Sequence, residues 1–196
     1  HAALDVGINW FDTAPLYGEG HADNVLREAL SGCAQQPLIA TKVGVIFQGS
    51  SGHAESKLDE AHLRLDLEAS LKRLNREAID LLQVHWPCQH GTALEETFTT
   101  LEALKKEGKV RHIGVCNYRS PALDELMSYA DVVSLQTPYS LLRRELEQEH
   151  LPAIERHELG VLAYEPLCRG LLTGKFMEEP KFSDSDMRSR DDRCRG

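Results

Sequence analysis

Four side chains that can take part in proton transfer each follow a short apolar run, and they are Asp12, Tyr17, Lys42 and His85. An isolated phenol is a poor acid at neutral pH. A nearby ammonium stabilises the phenolate, and a carboxylate keeps that ammonium charged and in place. An Asp–Lys–Tyr relay can therefore bring the phenol into working range as a general acid, while a neighbouring imidazole orients a carbonyl oxygen and helps to protonate it.

The runs that precede these side chains belong to an alternation of β-rich and helical segments. Strands are predicted at Ile8–Phe11, Leu38–Thr41, Ile79–Val84, Ile113–Val115, Val132–Leu135 and Val161–Ala163. Helices are predicted at Asp23–Leu30, Ala61–Leu74, Leu94–Glu107, Pro121–Tyr129 and Glu145–His157. Because a βα alternation produces a parallel sheet buried on both faces, the fold class is α/β.

Two parallel architectures fit this alternation, a doubly wound open sheet and an eight-fold barrel. An open sheet that binds dinucleotides carries a GxGxxG turn after its first strand, whereas Gly18-Glu19-Gly20 is followed by His21-Ala22-Asp23. We therefore predict a parallel (β/α)8 TIM barrel that is incomplete, with about six of its eight βα units in the chain. The C-terminal strand ends of such a barrel lie on one face, so the four side chains are expected to converge there.

The composition and the hydrophobic periodicity of the chain change near its C-terminal end. Residues 1–177 are expected to form the partial barrel, and residues 178–196, which are polar and aperiodic, a loop or truncated C-terminal segment. On this interpretation the chain is an internal fragment that lacks the first and last strands of the barrel. Two strand edges, near Ile8–Phe11 and Val161–Ala163, would then be unpaired and open to association.

Composition and charge argue against several classes of function. A net charge of −9 disfavours a nucleic-acid binder, which needs clustered Lys and Arg. No apolar run approaches the roughly 20 residues that cross a bilayer, so no membrane association is expected. The scattered cysteines indicate reduced thiols in a cytoplasmic protein. His85, His90 and His112 are too irregularly spaced for a recognised metal motif, so no metal site is predicted.

Five segments of the sequence resemble signatures of the aldo-keto reductase family and occur in that family's order. They are Gly7–Gly18, Thr41–Gly44, Ile79–Pro87, Arg111–Asn117 and Gly160–Lys175. The resemblance implies an oxidoreductase that passes hydride between a nicotinamide cofactor and a small-molecule aldehyde or ketone. The family's usual cofactor is NADP(H), with NAD(H) as the alternative. By the same resemblance Tyr17 would be the general acid/base, Lys42 and Asp12 would tune it, and His85 would orient the carbonyl.

The resemblance also assigns residues to the cofactor. Cys116, Asn117 and Gln136 would bind the nicotinamide carboxamide, and Tyr164 would stack on the nicotinamide ring. The loop that would hold the pyrophosphate comprises Glu165, Pro166, Leu167, Arg169, Gly170, Leu171 and Lys175. Cys116 and Glu165 stand where the family has serine. A thiol is a weaker hydrogen-bond donor than a hydroxyl, and a carboxylate repels phosphate unless it turns outward or pairs with Arg169.

Two other functions are compatible with these residues. One is a non-catalytic nicotinamide-binding regulatory subunit like the potassium-channel β subunits, and the other is an inactive truncated fragment. The basic residues that grip an adenosine 2′-phosphate are expected beyond Gly196, so the sequence does not choose between NADPH and NADH. Substrate identity and oligomeric state are not predicted either, although Ile46–Lys57, rich in Gly and Ser, is expected to border the pocket.

Overall fold

Strands and helices alternate along the chain in the computed structural model, which describes residues 1–48, 53–176 and 181–190. The strands are β1 (Trp10–Asp12), β2 (Leu38–Val43), β3 (Val45–Gln48), β4 (His53–Ser56), β5 (Ile79–Val84), β6 (Val110–Cys116), β7 (Val132–Pro138) and β8 (Gly160–Tyr164). The helices are α1 (Ala2–Asp5), α2 (His21–Leu30), α3 (Glu60–Leu74), α4 (Leu94–Lys106), α5 (Ser120–Leu126), α6 (Glu145–Glu149) and α7 (Leu151–Arg156). Short 3-10 turns cover Cys168–Thr173 and Met187–Arg190.

Six of the strands form one parallel sheet in the order β1-β2-β5-β6-β7-β8. The sheet is strongly curled, because Gln136 Nε2 on β7 lies 3.1 Å from Asp12 Oδ2 on β1. Four strand spacings separate these strands in the sheet order, which would place them about 19 Å apart if the sheet were flat. The curled sheet confirms the incomplete (β/α)8 barrel, with β1 and β8 as the two strand edges expected from the sequence.

The core lies between this sheet and the helices that cover its outer face. In α3, Leu63, Leu67, Leu71 and Leu74 are all buried, which confirms the apolar stripe on that helix. The helix begins after Asp59, whose carboxylate accepts a hydrogen bond from the His62 backbone N–H. Every residue of β5 is buried, as expected for a central parallel strand with packing on both faces.

One helix predicted from the sequence differs in its details from the structure. The helix expected over Glu145–His157 is divided into α6 and α7, because Pro152 lacks a backbone N–H and is tolerated only in the first turn of a helix. The segment Ile46–Lys57, for which no element was predicted, overlaps the antiparallel hairpin of β3 and β4. Residues 49–52 within that segment lie outside the described residues, as do residue 177 of the expected barrel and residues 178–180 and 191–196 of the expected C-terminal loop.

A buried ion pair ties the helical layer to the loop that follows β1. The fully buried Asp23 carboxylate accepts hydrogen bonds from Arg73 Nε at 2.9 Å and from the Thr13 hydroxyl at 2.8 Å. Arg73 also donates to the Ser70 hydroxyl at 2.9 Å. Since Asp23 and Thr13 flank the β1–α2 loop, this pair holds both ends of that loop against α3.

Replacing Arg73 with Met is expected to lower the free energy of unfolding by about 3 kcal/mol, because it leaves the Asp23 carboxylate buried without its cation. The measurement is urea unfolding of the protein expressed from its complete coding sequence. Arg64→Met is the matched control, since Arg64 pairs with Glu60 and Glu107 at the surface and should contribute less than about 1 kcal/mol. An equal loss of unfolding free energy in the two variants would show that the buried ion pair stabilises the protein no more than the surface pairs do.

Candidate active site

Lys42 lies at the centre of a polar cluster at the C-terminal ends of the strands. Only 1% of this residue is exposed, and its ammonium contacts the Asp12 carboxylate and donates to the Thr13 carbonyl oxygen at 3.0 Å. Burying an ammonium is costly unless it is paired and hydrogen-bonded, and these two partners meet that requirement. Strands β1 and β2 are neighbours, so their parallel register brings both partners to the lysine.

Tyr17 approaches the same ammonium from the β1–α2 loop. Lys42 Nζ lies 5.0 Å from the centroid of the Tyr17 ring, and the centroids of the Tyr17 and His85 rings are 6.0 Å apart in an edge-on arrangement. Tyr17 is 42% exposed, so part of its side chain faces solvent. The structure therefore brings together the four side chains singled out in the sequence, with Lys42 between Asp12 and Tyr17.

The loop that carries Tyr17 depends on glycine at one close approach. Gly20 has a φ of 84°, and a Cβ at this position would lie 2.7 Å from Arg73 Nε. A larger residue would thus be strained in the backbone and would collide with the side chain that neutralises Asp23. The conformation of the loop that carries Tyr17 consequently depends on the position of Arg73 in the ion pair with Asp23.

His85 is neutral at physiological pH in this environment. It is 8% exposed and lies next to the Trp86 ring, with 5.3 Å between the ring centroids. Burial, reinforced by the positive charge of Lys42 and only partly offset by Asp12, lowers the pKa of His85 from 6.5 to about 4. A neutral imidazole can donate one hydrogen bond to a carbonyl oxygen without carrying charge.

The stability of the protein is expected to decrease between pH 6.5 and pH 4 on account of His85. The unfolded histidine takes up a proton as pH falls through 6.5, whereas the lowered pKa keeps the folded one neutral to about pH 4. Since the unfolded state binds more protons in this window, the free energy of unfolding falls by up to about 3 kcal/mol. In urea unfolding measured from pH 7 to pH 4, the free energy of unfolding of His85→Gln should depend less on pH than that of the unsubstituted protein.

His90→Gln serves as the control for that comparison, because His90 is exposed and pairs with Glu55 at the surface. It should retain the pH dependence of the unsubstituted protein. An identical dependence in His85→Gln and the unsubstituted protein would contradict the assignment of a neutral, buried imidazole.

The residues expected at the nicotinamide lie at the ends of β6, β7 and β8. The Tyr164 hydroxyl donates to Asn117 Oδ1 at 2.9 Å, and Asn117 Nδ2 donates to the His85 carbonyl oxygen at 3.3 Å. Asn117 therefore joins the β8 end to the His85 loop in a fixed orientation. Cys116 is turned inward, with its thiol 3.4 Å from Gln136 Oε1, and burial raises its pKa to about 12, so it remains a neutral thiol.

The segment expected at the pyrophosphate is a tightly coiled loop. Glu165, Cys168, Arg169 and Gly170 all have positive φ values, and the backbone N–H groups of Cys168 and Gly170 donate to the carbonyl oxygens of Glu165 and Leu167 within the loop. Glu165 accepts a hydrogen bond from Arg169 Nε at 2.6 Å, which is the pairing that the sequence left as one alternative. Pro166, Leu167 and Lys175 are exposed along the same loop, whereas Gly170 and Leu171 are half-buried.

One polar residue of the cluster was not singled out from the sequence. Gln83 is fully buried on β5, and its Nε2 donates to Asp12 Oδ2 at 3.1 Å. The available signal was a glutamine within a strand otherwise dominated by apolar residues, where a buried amide needs partners.

Other features of the chain add no second site of the same kind. Among the described residues, no group of three or more His, Cys, Asp or Glu side chains is arranged to hold a metal ion. Cys33, Cys88 and Cys116 are free thiols, and Cys194 lies outside the described ranges. No described helix has the length and apolar character needed to cross a bilayer.

Comparison with known proteins relates both the sequence and this geometry to one family. A family model described as Aldo/keto reductase family matches residues 1–194. The chain is 38% identical over 192 residues to the aldo-keto reductase YhdN of Bacillus subtilis, covering 97% of this chain and 57% of YhdN. It is 34% identical over 180 residues to an NADH-specific methylglyoxal reductase of Escherichia coli, covering 86% of this chain and 55% of that protein.

Solved structures show the same relationship. A glycerol dehydrogenase of Gluconobacter oxydans superposes with a TM-score of 0.93 at 39% identity, covering 98% of this chain and 60% of its own. An aldo/keto reductase of Klebsiella pneumoniae, solved with NADP and acetate, gives a TM-score of 0.74 at 30% identity, covering 90% of this chain and 58% of its own. The chain thus spans between 55% and 60% of the length of these relatives.

Proposed function

The chain belongs to the aldo/keto reductase family, and on that premise we propose that it reduces the carbonyl group of an aldehyde or ketone to an alcohol with NADPH or NADH. The observation that carries the proposal is the position of the Lys42 ammonium, which contacts the Asp12 carboxylate and lies 5.0 Å from the centroid of the Tyr17 ring. A phenol in this position serves as a general acid toward a carbonyl oxygen.

Each of the four side chains has a distinct role in this proposal. Tyr17 donates its hydroxyl proton to the carbonyl oxygen as negative charge develops there. Lys42 stabilises the phenolate that remains, and Asp12 fixes the ammonium in place. His85, neutral because burial lowers its pKa to about 4, donates a hydrogen bond to the same oxygen and sets its angle.

The nicotinamide site is proposed at the ends of β6, β7 and β8, and the residues present there fit such a group. Asn117 offers an amide side chain held by Tyr164 and by the His85 backbone, and Tyr164 offers a half-buried ring. The loop from Glu165 to Lys175 is proposed to hold the pyrophosphate, with Arg169 and Lys175 as its positive charges. When bound, a reduced nicotinamide supplies the hydride that the carbonyl carbon accepts.

The charge of the pyrophosphate loop has a consequence for binding. Arg169 is engaged by the Glu165 carboxylate, which removes the repulsion that an isolated carboxylate would exert on phosphate. Arg143 Nη1 lies 3.7 Å from the same carboxylate and adds a second positive charge. Among the described residues, Arg169 and Arg143 thus both lie near Glu165, and positive charge of this kind favours phosphate binding.

The direct test follows the absorbance of NADPH and of NADH with a panel of aldehydes and ketones, using the protein expressed from its complete coding sequence. We expect consumption of one or both cofactors that requires protein and carbonyl together. Tight cofactor binding without turnover of any carbonyl would instead support the regulatory-subunit interpretation. No binding of either cofactor, measured by a shift in thermal unfolding, would contradict the proposal as a whole.

A further inference from the structure

We propose that Gln83 is a positioning residue that fixes the orientation of the Asp12 carboxylate and, through it, of the Lys42 ammonium. The inference rests on the proposed function and adds a residue to its machinery. Gln83 Nε2 donates to Asp12 Oδ2 at 3.1 Å, while the other carboxylate oxygen, Oδ1, contacts Lys42. The two oxygens of Asp12 are therefore assigned to different partners on opposite sides of the carboxylate.

The orientation of the Gln83 amide is itself determined by its surroundings. Its Nε2 faces a carboxylate that can only accept, which sets the direction of the amide. Its Oε1 lies 3.7 Å from the Cys116 thiol, whose single hydrogen has a nearer acceptor in Gln136 Oε1 at 3.4 Å. The orientation of the Gln83 amide is therefore fixed mainly at its Nε2 end, by Asp12.

The strands leave room for this side chain by a specific omission. Gln83 is paired in register with Gly114 on β6. A Cβ on Gly114 would lie 2.4 Å from the Ser134 hydroxyl oxygen and 3.1 Å from Gln83 Cγ. Glycine at 114 therefore leaves room for a long amide side chain at position 83. An apolar side chain at position 83 would be buried at a lower desolvation cost.

Burial distinguishes Gln83 from the second amide on the same carboxylate. Gln136 Nε2 also donates to Asp12 Oδ2 at 3.1 Å, but Gln136 is half-buried and is one of the residues proposed for the nicotinamide. Gln83 is 0% exposed, and its amide meets Asp12 and Cys116. It therefore acts through Asp12 and does not touch a reactant.

Two substitutions of Gln83 separate a positioning role from simple filling of space. Gln83→Leu removes the donor at similar volume, so kcat should fall about tenfold to a hundredfold with KM nearly unchanged. That loss should persist as pH falls, because leucine offers no group that can donate to Asp12. Gln83→Glu places a second carboxylate against Asp12 Oδ2, so activity should be lowest at neutral pH and should recover as pH falls, when a protonated carboxyl can again donate.

The control is Gln36→Leu, since Gln36 is exposed and its Oε1 accepts only from Arg76 Nη1 at the surface. It should match the unsubstituted protein in kcat and pH profile. Recovery of activity at low pH in Gln83→Glu, together with a persistent loss in Gln83→Leu, would support the positioning role. Unchanged kcat and pH profiles in both variants, or losses in both that are equal at every pH, would overturn it.

A crystal structure of Gln83→Leu supplies a readout that does not depend on turnover, and so separates this inference from the proposed function. We expect the Asp12 carboxylate to rotate away from its present orientation. An unmoved Asp12 would refute the positioning role even in an active enzyme. Absence of carbonyl reduction by the unsubstituted protein would refute the proposed function alone. The positioning role of Gln83 would then be tested by the orientation of the Asp12 carboxylate in the crystal structure.

Discussion

Replacing Tyr17 with phenylalanine is expected to lower kcat for carbonyl reduction by about 100-fold to 10,000-fold, the range that general acid catalysis contributes. The substitution removes only the hydroxyl, and the ring keeps its place beside Lys42 and its edge-on contact with His85. Because Tyr17 is 42% exposed, loss of one oxygen atom should not disturb packing. Steady-state kinetics with a generic aldehyde would measure the loss, and cofactor affinity should stay within about twofold.

Tyr118→Phe is the matched control for this experiment. It deletes the same atom from a tyrosine whose buried hydroxyl has no hydrogen-bond partner among the described residues. Tyr118 packs edge-on against Phe98 in the core, with 5.9 Å between ring centroids. Kinetics should be unchanged in this variant. Equal kinetics in Tyr17→Phe and the unsubstituted protein would refute the assignment of Tyr17 as the acid.

Replacing Lys42 with methionine is expected to reduce kcat by a similar factor, for an electrostatic reason. The buried ammonium is the positive charge next to the Tyr17 ring, so its removal destabilises the phenolate that proton donation produces. The protein should still fold, because Asp12 keeps the amide donors of Gln83 and Gln136. Asp12→Asn should act through the same ammonium, so the double variant should lose little more than Lys42→Met alone.

Histidine titration offers an independent readout of the same charges. Lys42 lowers the pKa of His85 and Asp12 raises it. The NMR titration midpoint of His85 should therefore rise in Lys42→Met and fall in Asp12→Asn. Shifts in the same direction, or additive kinetic losses in the double variant, would show that these residues do not act as one unit.

The sequence predicted those parts of the site that depend on where strands end. Lys42 and His85 follow apolar runs that could be recognised as parallel strands, and parallel strands present their C-terminal ends at one face. The closeness of these residues to Asp12 and Tyr17 follows from that topology and requires no knowledge of side-chain conformation. The pairing of Glu165 with Arg169 was also open to inference, since Arg169 is the cationic residue nearest to Glu165 along the chain.

The contribution of Gln83 could not be read from the sequence in the same way. Its partner Asp12 is 71 positions away, and the strand alone does not show whether a single amide faces the barrel interior or the helices. The curl of the sheet also decides which residues meet, because it brings Gln136 on β7 to a carboxylate on β1. The hairpin of β3 and β4 was missed because its strands are short and flank a segment rich in Gly and Ser.

The most direct test of the central claim is the fate of a deuterium label in the product alcohol. The protein from its complete coding sequence would be supplied with an aldehyde and a reduced nicotinamide cofactor that carries deuterium at the transferred C4 position. Mass spectrometry should find one deuterium on the carbinol carbon for each turnover, and almost no labelled alcohol with Tyr17→Phe. Alcohol that contains no deuterium, or labelled alcohol formed equally well by Tyr17→Phe, would contradict hydride transfer assisted by this tyrosine.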